Sequence, residues 1–303
     1  MSNYHNPVLL KESVEALNLK PKGVYVDVTF GGGGHSAEIL AKIPSEALLI
    51  AFDQDADAWE NAHWLVEKYP NFTLIKKNFR ELMPALKSIG INKIDGLLAD
   101  LGVSSHQFDT PERGFSFRFE AELDMRMNQT QQIDAKFVLN QYTERDLHRI
   151  FGMYGEIKNA KTLAKVITTE RKKHYINTTQ DLRSSIESCI PKKEESKYLA
   201  QLFQALRIEV NEELKALEEM LMQTKEVVSI GGRIVLISYH SLEDRLAKNF
   251  LQKGKFYGEV EKDFFGNEIK PFKTLEKLIV PTEAEIKANP RARSAKMRVA
   301  ERI

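Results

Sequence analysis

Cysteine is almost absent from this chain: Cys189 is the only one among 303 residues. A single thiol cannot form a disulfide within the chain, and it cannot supply a cysteine-rich zinc or iron–sulfur site. Long apolar runs are missing as well, because no stretch approaches the ~18 residues that a membrane-spanning helix needs. The first residues also lack the basic and apolar segments of a signal peptide. We therefore expect a cytoplasmic protein that does not associate with membranes.

An excess of one charge is the third feature that the sequence lacks. The 44 lysine and arginine residues are balanced by 43 aspartate and glutamate residues, which gives a formal net charge of +1. Any contact with nucleic acid must therefore use a local basic surface. Hydrophobic residues at 42% and charged residues at 29% are typical of a globular protein and exclude extensive disorder.

Short apolar runs alternate with helical patterns over the first hundred residues. The predicted strands are Val24–Thr29, Ala47–Phe52, Phe72–Ile75 and Ile94–Ala99. Strands that alternate with helices at this spacing form a parallel sheet with crossover helices, so the predicted fold class is α/β.

Helical patterns alone fill the segment from about residue 104 to about residue 198. We therefore predict a core made of residues 1–105 and 199–303, interrupted by a mostly helical domain at 106–198. After this insertion the pattern predicts one long helix over Phe203–Val228, with Gly231 and Gly232 as its C-cap. A buried strand over Arg233–Ser238 follows, and the tail predicts an antiparallel edge pair from Leu278–Val280 and Lys296–Ala300.

Four consecutive glycines, Gly31 to Gly34, join the first predicted strand to a helix. Glycine permits a tight turn and the close approach of a ligand to the backbone, and the helix start adds N–H donors. Asp53 ends the next strand, where a carboxylate can accept hydrogen bonds from ribose hydroxyls. This combination predicts a nucleoside-bearing cofactor. No lysine follows the glycines as in a P-loop, and the dinucleotide pattern fits only with Ala37 as its last position, so an NAD-dependent oxidoreductase stays an alternative.

Several long motifs, in the same order along nearly the whole chain, resemble those of the bacterial 16S rRNA cytosine-N4 methyltransferase family. They are H-N-P-V-L-L from His5, V-D-V-T-F-G-G-G-G-H-S from Val26, D-L-G-V-S-S from Asp100, R-G-F-S-F-R from Arg113, L-D-M-R-M from Leu123, S-Y-H-S-L-E-D-R from Ser238 and N-P-R-A-R-S-A-K-M-R-V-A-E-R from Asn289. The resemblance implies a Rossmann-like fold with an inserted helical domain that recognises RNA. It also implies an S-adenosylmethionine (SAM)-dependent enzyme that methylates N4 of a cytosine in the decoding region of 16S rRNA.

The resemblance further implies which residues contact the cofactor. These are Gly33, Gly34, His35, Asp53, Phe79, Asp100 and Gln107. Phe79 can pack on the flat face of adenine. No histidine or cysteine lies at helical spacing from His35, so we interpret it as a donor at the helix start and expect no metal. A non-catalytic RNA-binding factor of ribosome assembly that keeps this fold is the second alternative.

The chemistry and the RNA contacts also have candidate residues. Asp100 ends the fourth strand, and our hypothesis is that its carboxylate accepts a hydrogen bond from the target amine; the open alternative is that it only contacts the amino group of SAM. For placement of the base we favour Ser105, Tyr239 and His240. Arg113 and Arg118 alternate with phenylalanines, a composition that suits phosphate contact combined with base stacking.

Overall fold

The computed structural model describes residues 7–275 and 278–303. Contacts among the described residues divide the chain into two units. The first unit runs up to Gly102 and resumes at Leu214, and the second comprises Val103–Glu213. The bounds of 106–198 for an inserted domain remain a prediction.

The first unit begins with four strands that alternate with short helices. The strands are β1 (Val24–Asp27), β2 (Leu48–Phe52), β3 (Phe72–Ile75) and β4 (Ile94–Asp100). The helices are α1 (Leu10–Ala16), α2 (Gly34–Lys42), α3 (Ala56–Asn61), α4 (His63–Lys68) and α5 (Leu82–Ser88). Strand β2, with the sequence L-L-I-A-F, is buried along four of its five residues, as expected for a parallel strand that is covered on both faces.

The second unit is built from helices around an apolar core of its own. Its helices are α6 (Ser105–Asp109), α7 (Ala135–Gln141), α8 (Glu144–Met153), α9 (Ala160–Glu170), α10 (Thr179–Ile186) and α11 (Glu195–Asn211). All residues of this unit are described, and none forms a strand; one isolated bridge pairs Glu122 with Thr178. Side chains such as Leu139, Phe151 and Leu202 are fully buried in this core.

The chain then completes the first unit. The remaining elements are α12 (Glu213–Val227), β5 (Val228–Ser238), α13 (Ser241–Lys253), β6 (Glu261–Lys262), β7 (Glu268–Ile269), β8 (Phe272–Thr274), α14 (Glu283–Ala288) and β9 (Lys296–Arg302). The prediction of one helix over Phe203–Val228 is wrong, because Glu212 adopts a left-handed conformation (φ 48°) that ends α11. The predicted C-cap at Gly231 and Gly232 is also wrong, because both glycines lie inside β5.

Seven strands form one sheet in the order β3-β2-β1-β4-β5-β9-β8, and the predicted α/β class is confirmed. Strands β1 to β5 are parallel, whereas β9 runs antiparallel to β5 and β8 antiparallel to β9. The predicted antiparallel pairing of Leu278–Val280 with Lys296–Ala300 is present as a single bridge between Ile279 and Met297, and Phe272–Thr274 forms the edge strand beside β9. The strand order reverses between β1 and β4, so the ligand-binding crevice of such a sheet lies at the carboxyl ends of these two strands.

Candidate functional site

Polar side chains from three strand ends meet at the reversal of the sheet. Asp27, the last residue of β1, is buried and accepts hydrogen bonds from Ser36 Oγ (2.7 Å) and from the N–H of Thr29 (3.1 Å). Thr29 Oγ1 in turn accepts the N–H of Asp100 (2.7 Å) at the end of β4. Asp100 Oδ1 accepts the hydroxyl of Tyr239 (2.7 Å), which follows β5. This chain of hydrogen bonds fixes the relative positions of the three strand ends.

The glycine run forms the predicted turn between β1 and α2. Gly33 has φ 76° and is the N-cap of α2, so no side chain caps the first N–H groups of this nine-residue helix. A Cβ atom on Gly33 would lie 2.7 Å from Phe30 Cζ, and one on Gly34 would overlap the ring of Pro7. The turn therefore requires glycine at position 33 for its backbone conformation and at position 34 for close packing.

Asp53, directly after β2, holds the glycine turn from its other side. Its Oδ2 accepts the N–H of Gly31 (2.8 Å), and its Oδ1 accepts the N–H of Asp55 (2.9 Å). Burial raises the pKa of Asp53 to about 6, although the two N–H donors act in the opposite direction. A carboxylate oxygen accepts more than one hydrogen bond. Asp53 can therefore hold the turn and also receive ribose hydroxyls, which is the role that the sequence predicts for it.

Asp100 has a second neighbour besides Tyr239. Its Oδ2 lies 3.8 Å from Nδ1 of the buried His35, whose Nε2 lies 3.2 Å from the carbonyl oxygen of Val8. Burial raises the pKa of Asp100 to about 6, while His35 and the Tyr239 hydroxyl favour the charged form. Less than a quarter of the Asp100 side chain is exposed. The Tyr239 hydroxyl thus holds the carboxylate in place, and burial brings its pKa closer to neutral pH.

Tyr239 and His240, predicted to place the target base, make contacts within the protein. The Tyr239 hydroxyl is bonded to Asp100, and burial is the main cause that raises its pKa well above the usual value. His240 Nδ1 accepts the N–H of Glu243 (3.4 Å) and so caps α13, and its Nε2 lies 3.1 Å from Glu243 Oε1. The structure therefore gives both residues a positioning role, and base contact by them stays a prediction.

Phe79 starts a short 3-10 turn over Phe79–Glu81, after β3. It is partly buried and packs against the apolar core on one face of the sheet. The preceding Asn78 accepts the N–H of Arg80 (2.9 Å) and donates to Gln54 Oε1 (2.9 Å), beside Asp53 in sequence. Contact of Phe79 with adenine remains a prediction.

Four predicted site residues belong to the second unit. Ser104 and Gln107 form a capping box at the start of α6: Gln107 Oε1 accepts the N–H of Ser104 (2.9 Å), and the N–H of Gln107 donates to Ser104 Oγ (3.1 Å). Ser105 is the first residue of α6 and is partly exposed. The position of Gln107 is thus explained by helix capping, and its contact with the cofactor stays a prediction.

The predicted RNA contact by Arg113 does not fit the structure. Arg113 is only 3% exposed, and its Nη2 donates to the carbonyl oxygens of Arg126 (2.9 Å) and Met127 (3.3 Å). A buried guanidinium that is bonded to backbone carbonyls stabilises its loop and is not accessible to phosphate. Arg118 is exposed, and RNA contact by Arg118 remains a prediction.

Thr29 and Ser36 are site residues that no sequence motif had indicated. Thr29 joins the ends of β1 and β4, and Ser36 Oγ donates to Asp27 from the first turn of α2. A hydroxyl residue two positions after a strand-ending aspartate is a signal that could have indicated this role for Thr29. For Ser36 the spacing of nine residues from Asp27 gives no such signal.

The structure combines a parallel sheet with a strand-order reversal, a glycine turn and an acidic residue after β2. This combination is typical of enzymes that bind a nucleoside cofactor. Comparison with known proteins narrows the class. The MraW methylase family matches residues 2–303, and the chain therefore belongs to this family.

Individual relatives agree with this membership. The chain is 58% identical over 299 residues to the ribosomal RNA small subunit methyltransferase H of Cytophaga hutchinsonii, with 99% of both chains covered. The proteins of the same name from Flavobacterium johnsoniae and Parabacteroides distasonis are 55% and 52% identical over 300 and 304 residues. The alignments cover 99% and 100% of this chain and 98% of each relative.

The family depends on SAM, so the predicted cofactor is confirmed and the NAD-dependent oxidoreductase is set aside. The residues at the sheet reversal fit this group. Gly31, Gly32 and Gly34 of the turn are partly exposed, and Asp53 offers carboxylate oxygens for ribose hydroxyls. Asp100 offers a carboxylate at the end of β4, where either the amino group of SAM or a substrate amine can be received.

Proposed function

We propose that this chain transfers a methyl group from SAM to N4 of a cytosine in the decoding region of 16S rRNA, in the small ribosomal subunit. The relatives' name supports the class of RNA, and the motif resemblance supports the cytosine and its N4. A cytoplasmic location is part of the same proposal, because ribosomes are assembled there. Among the described residues, no helix combines the length and apolar character needed to cross a bilayer.

The observation that carries the proposal is the position of Asp100. Its carboxylate stands at the reversal of the sheet, held by Tyr239 and tied through Thr29 to the glycine-turn strand. The exocyclic amine of cytosine is a poor nucleophile, because its lone pair is delocalised into the ring. A fixed carboxylate that accepts an N–H hydrogen bond localises this lone pair and can then take the proton that the nitrogen loses.

In this proposal, the glycine turn and Asp53 bind the cofactor. SAM, when bound, supplies a methyl group activated by the positive sulfonium. Asp53 would receive the ribose hydroxyls, Gly33 and Gly34 would give access to the backbone, and the uncapped start of α2 would add N–H donors. These rigid elements serve to align the methyl group with the substrate nitrogen.

Asp100 has one competing role, which is contact with the amino group of SAM alone. The two roles differ in what Asp100→Asn does. The amide cannot accept the proton of the amine, so a chemical role predicts lost methyl transfer with retained SAM binding. A purely binding role predicts weaker SAM binding and normal turnover at saturating SAM.

Mass spectrometry of 16S rRNA tests the function most broadly. Small subunits from a strain that lacks this protein are analysed before and after incubation with purified protein and SAM. We expect one cytosine of the decoding region to gain a methyl group on N4 only after incubation. An unchanged RNA, with SAM bound to the protein, would instead support the non-catalytic assembly factor. Parallel incubation with naked 16S rRNA shows which form is the substrate.

A further inference from the structure

The second unit contains a groove of about 90 Å³. Its walls come from the segment Phe117–Glu120 and from helices α10 and α11, including Phe203 of α11. The segment is fixed to the start of α10: Thr179 Oγ1 donates to the carbonyl oxygen of Phe119 (2.7 Å), and the N–H of Thr179 donates to the carbonyl oxygen of Ala121 (2.9 Å). The groove is therefore a built feature of this unit and not a gap beside a loose loop.

Three phenylalanines are among the residues that line this groove: Phe117, Phe119 and Phe203. The rings of Phe117 and Phe203 make an edge-to-face contact, with centroids 5.7 Å apart and an interplanar angle of 73°. Phe119 leaves 41% of its surface exposed to solvent. A flat, rigid apolar surface next to solvent is suited to stacking against another flat ring.

One arginine of the groove is available to an anionic ligand. Arg118 lies between the two phenylalanines in sequence, and its guanidinium makes no hydrogen bond or ion pair with any residue that the structure describes. A second arginine of the lining, Arg183, is already paired with Glu195 (2.5 Å). Glu120 is the one acidic residue of the lining. The unpaired cation at this site is therefore Arg118.

We propose that this groove binds an unstacked base of single-stranded RNA, with the base stacked on Phe119 and a neighbouring phosphate paired with Arg118. Exposed aromatic rings combined with an available guanidinium are the groups by which proteins hold unpaired nucleotides. The proposal rests on the proposed function, because the RNA substrate supplies the ligand. It adds an RNA-binding site within the second unit.

Binding of a fluorescein-labelled ten-nucleotide oligocytidylate, measured by fluorescence anisotropy, tests the site directly. The variants are Phe119→Ala and Arg118→Ala. Phe137→Ala is the matched control, because Phe137 is also 41% exposed and lies in the same unit, and Arg145→Ala controls for loss of an exposed arginine. Circular dichroism and thermal unfolding show that each variant is folded.

We expect Phe119→Ala to weaken binding at least about fivefold, since the stacking of one base contributes about 1–3 kcal/mol. Arg118→Ala should weaken binding mainly at low salt, and both controls should bind like the unaltered protein. An oligomer with abasic positions should lose the effect of Phe119→Ala. Equal affinities for Phe119→Ala and Phe137→Ala would overturn the proposal, as would an unchanged effect with the abasic oligomer.

Crosslinking gives a second measurement that does not depend on a variant. An oligonucleotide that carries 4-thiouridine is irradiated with the protein, and the crosslinked peptide is identified by mass spectrometry. A crosslink in the segment Phe117–Glu120 supports the groove, and crosslinks only in other segments contradict it. Methyl transfer that fails while this crosslink forms would refute the proposed function alone. Normal methyl transfer without the crosslink would refute the groove alone.

Discussion

The hydroxyl of Tyr239 donates a 2.7 Å hydrogen bond to Oδ1 of Asp100, joining the end of β5 to the end of β4. This donor favours the ionised carboxylate and opposes the effect of burial on its pKa. In Tyr239→Phe the donor is lost, so the pKa of Asp100 should rise above about 6. If Asp100 must be ionised to accept the proton, turnover increases with pH through this pKa. The acid limb of the kcat profile should therefore move to higher pH in the variant, and an unmoved limb would show that the contact does not tune the reaction.

The substitution Asp100→Asn distinguishes a role of Asp100 in methyl transfer from a role in SAM binding. The amide can still accept the Tyr239 hydroxyl but cannot take a proton. We expect methyl transfer to fall by at least ~100-fold, in the range of a lost general base, with SAM affinity within about threefold of normal. Turnover and isothermal titration measure the two quantities separately. Full turnover with intact SAM binding would remove any chemical role for Asp100.

The same substitution has a stability consequence whose sign follows from the pKa. The folded-state pKa of Asp100 lies above its usual value, so the folded protein holds this proton more tightly than the unfolded chain does. This contribution to stability is present at low pH and is lost as pH rises through about 6. Asp100→Asn should therefore raise the melting temperature at pH 8 more than at pH 5. An equal change at both pH values would contradict the raised pKa.

Gly33 and Gly90 form a matched pair for the glycine turn. Both have left-handed φ angles, 76° and 79°, but a Cβ atom on Gly33 would lie 2.7 Å from Phe30 Cζ, whereas one on Gly90 meets nothing within 4 Å. Gly90→Ala should cost only the conformational strain of about 1–2 kcal/mol. Gly33→Ala should lower the melting temperature further and weaken SAM binding. Equal effects on both measurements would show that the turn tolerates a side chain.

Substitutions of Arg113 and Arg118 should have different effects, because Arg113 stabilises its loop and Arg118 is proposed to bind RNA. Arg113→Met removes a guanidinium that donates to two backbone carbonyl oxygens, and a hydrogen bond to a charged group contributes about 1.5–3 kcal/mol, so thermal unfolding should begin several degrees lower. Arg118→Ala should leave thermal unfolding unchanged. It should reduce the slope of log affinity for oligocytidylate against log salt by about 0.7, as for one lost phosphate contact. The reverse pattern would contradict these assignments.

The parallel sheet and the glycine turn were predictable because their signals are local. Short apolar runs define β1 to β4, and four consecutive glycines mark the turn between β1 and α2. The second unit was predictable only in its helical character. The end of α11 depends on a left-handed Glu212, a conformation that no glycine or proline announces in the sequence.

The details of the site depend on contacts that the sequence does not encode locally. Residues 100 and 239 are 139 positions apart, and only the pairing of β4 with β5 brings them together. The burial of Arg113 is equally non-local, since its partners lie 13 and 14 residues away in a loop. An arginine among phenylalanines is typical of an RNA-binding surface, but it is also typical of a loop that closes on its own backbone.

Titration of SAM into the purified chain, compared with its Asp53→Ala variant, tests the central claim most directly. Asp53 holds Gly31 through a 2.8 Å hydrogen bond and is proposed to receive the ribose hydroxyls, so its removal should both loosen the turn and delete the acceptor. Glu60→Gln, an exposed carboxylate of α3, is the control. The account predicts one SAM bound per chain, at least about tenfold weaker binding in Asp53→Ala, and normal binding in Glu60→Gln. Absence of SAM binding, or identical affinities in all three proteins, would contradict it.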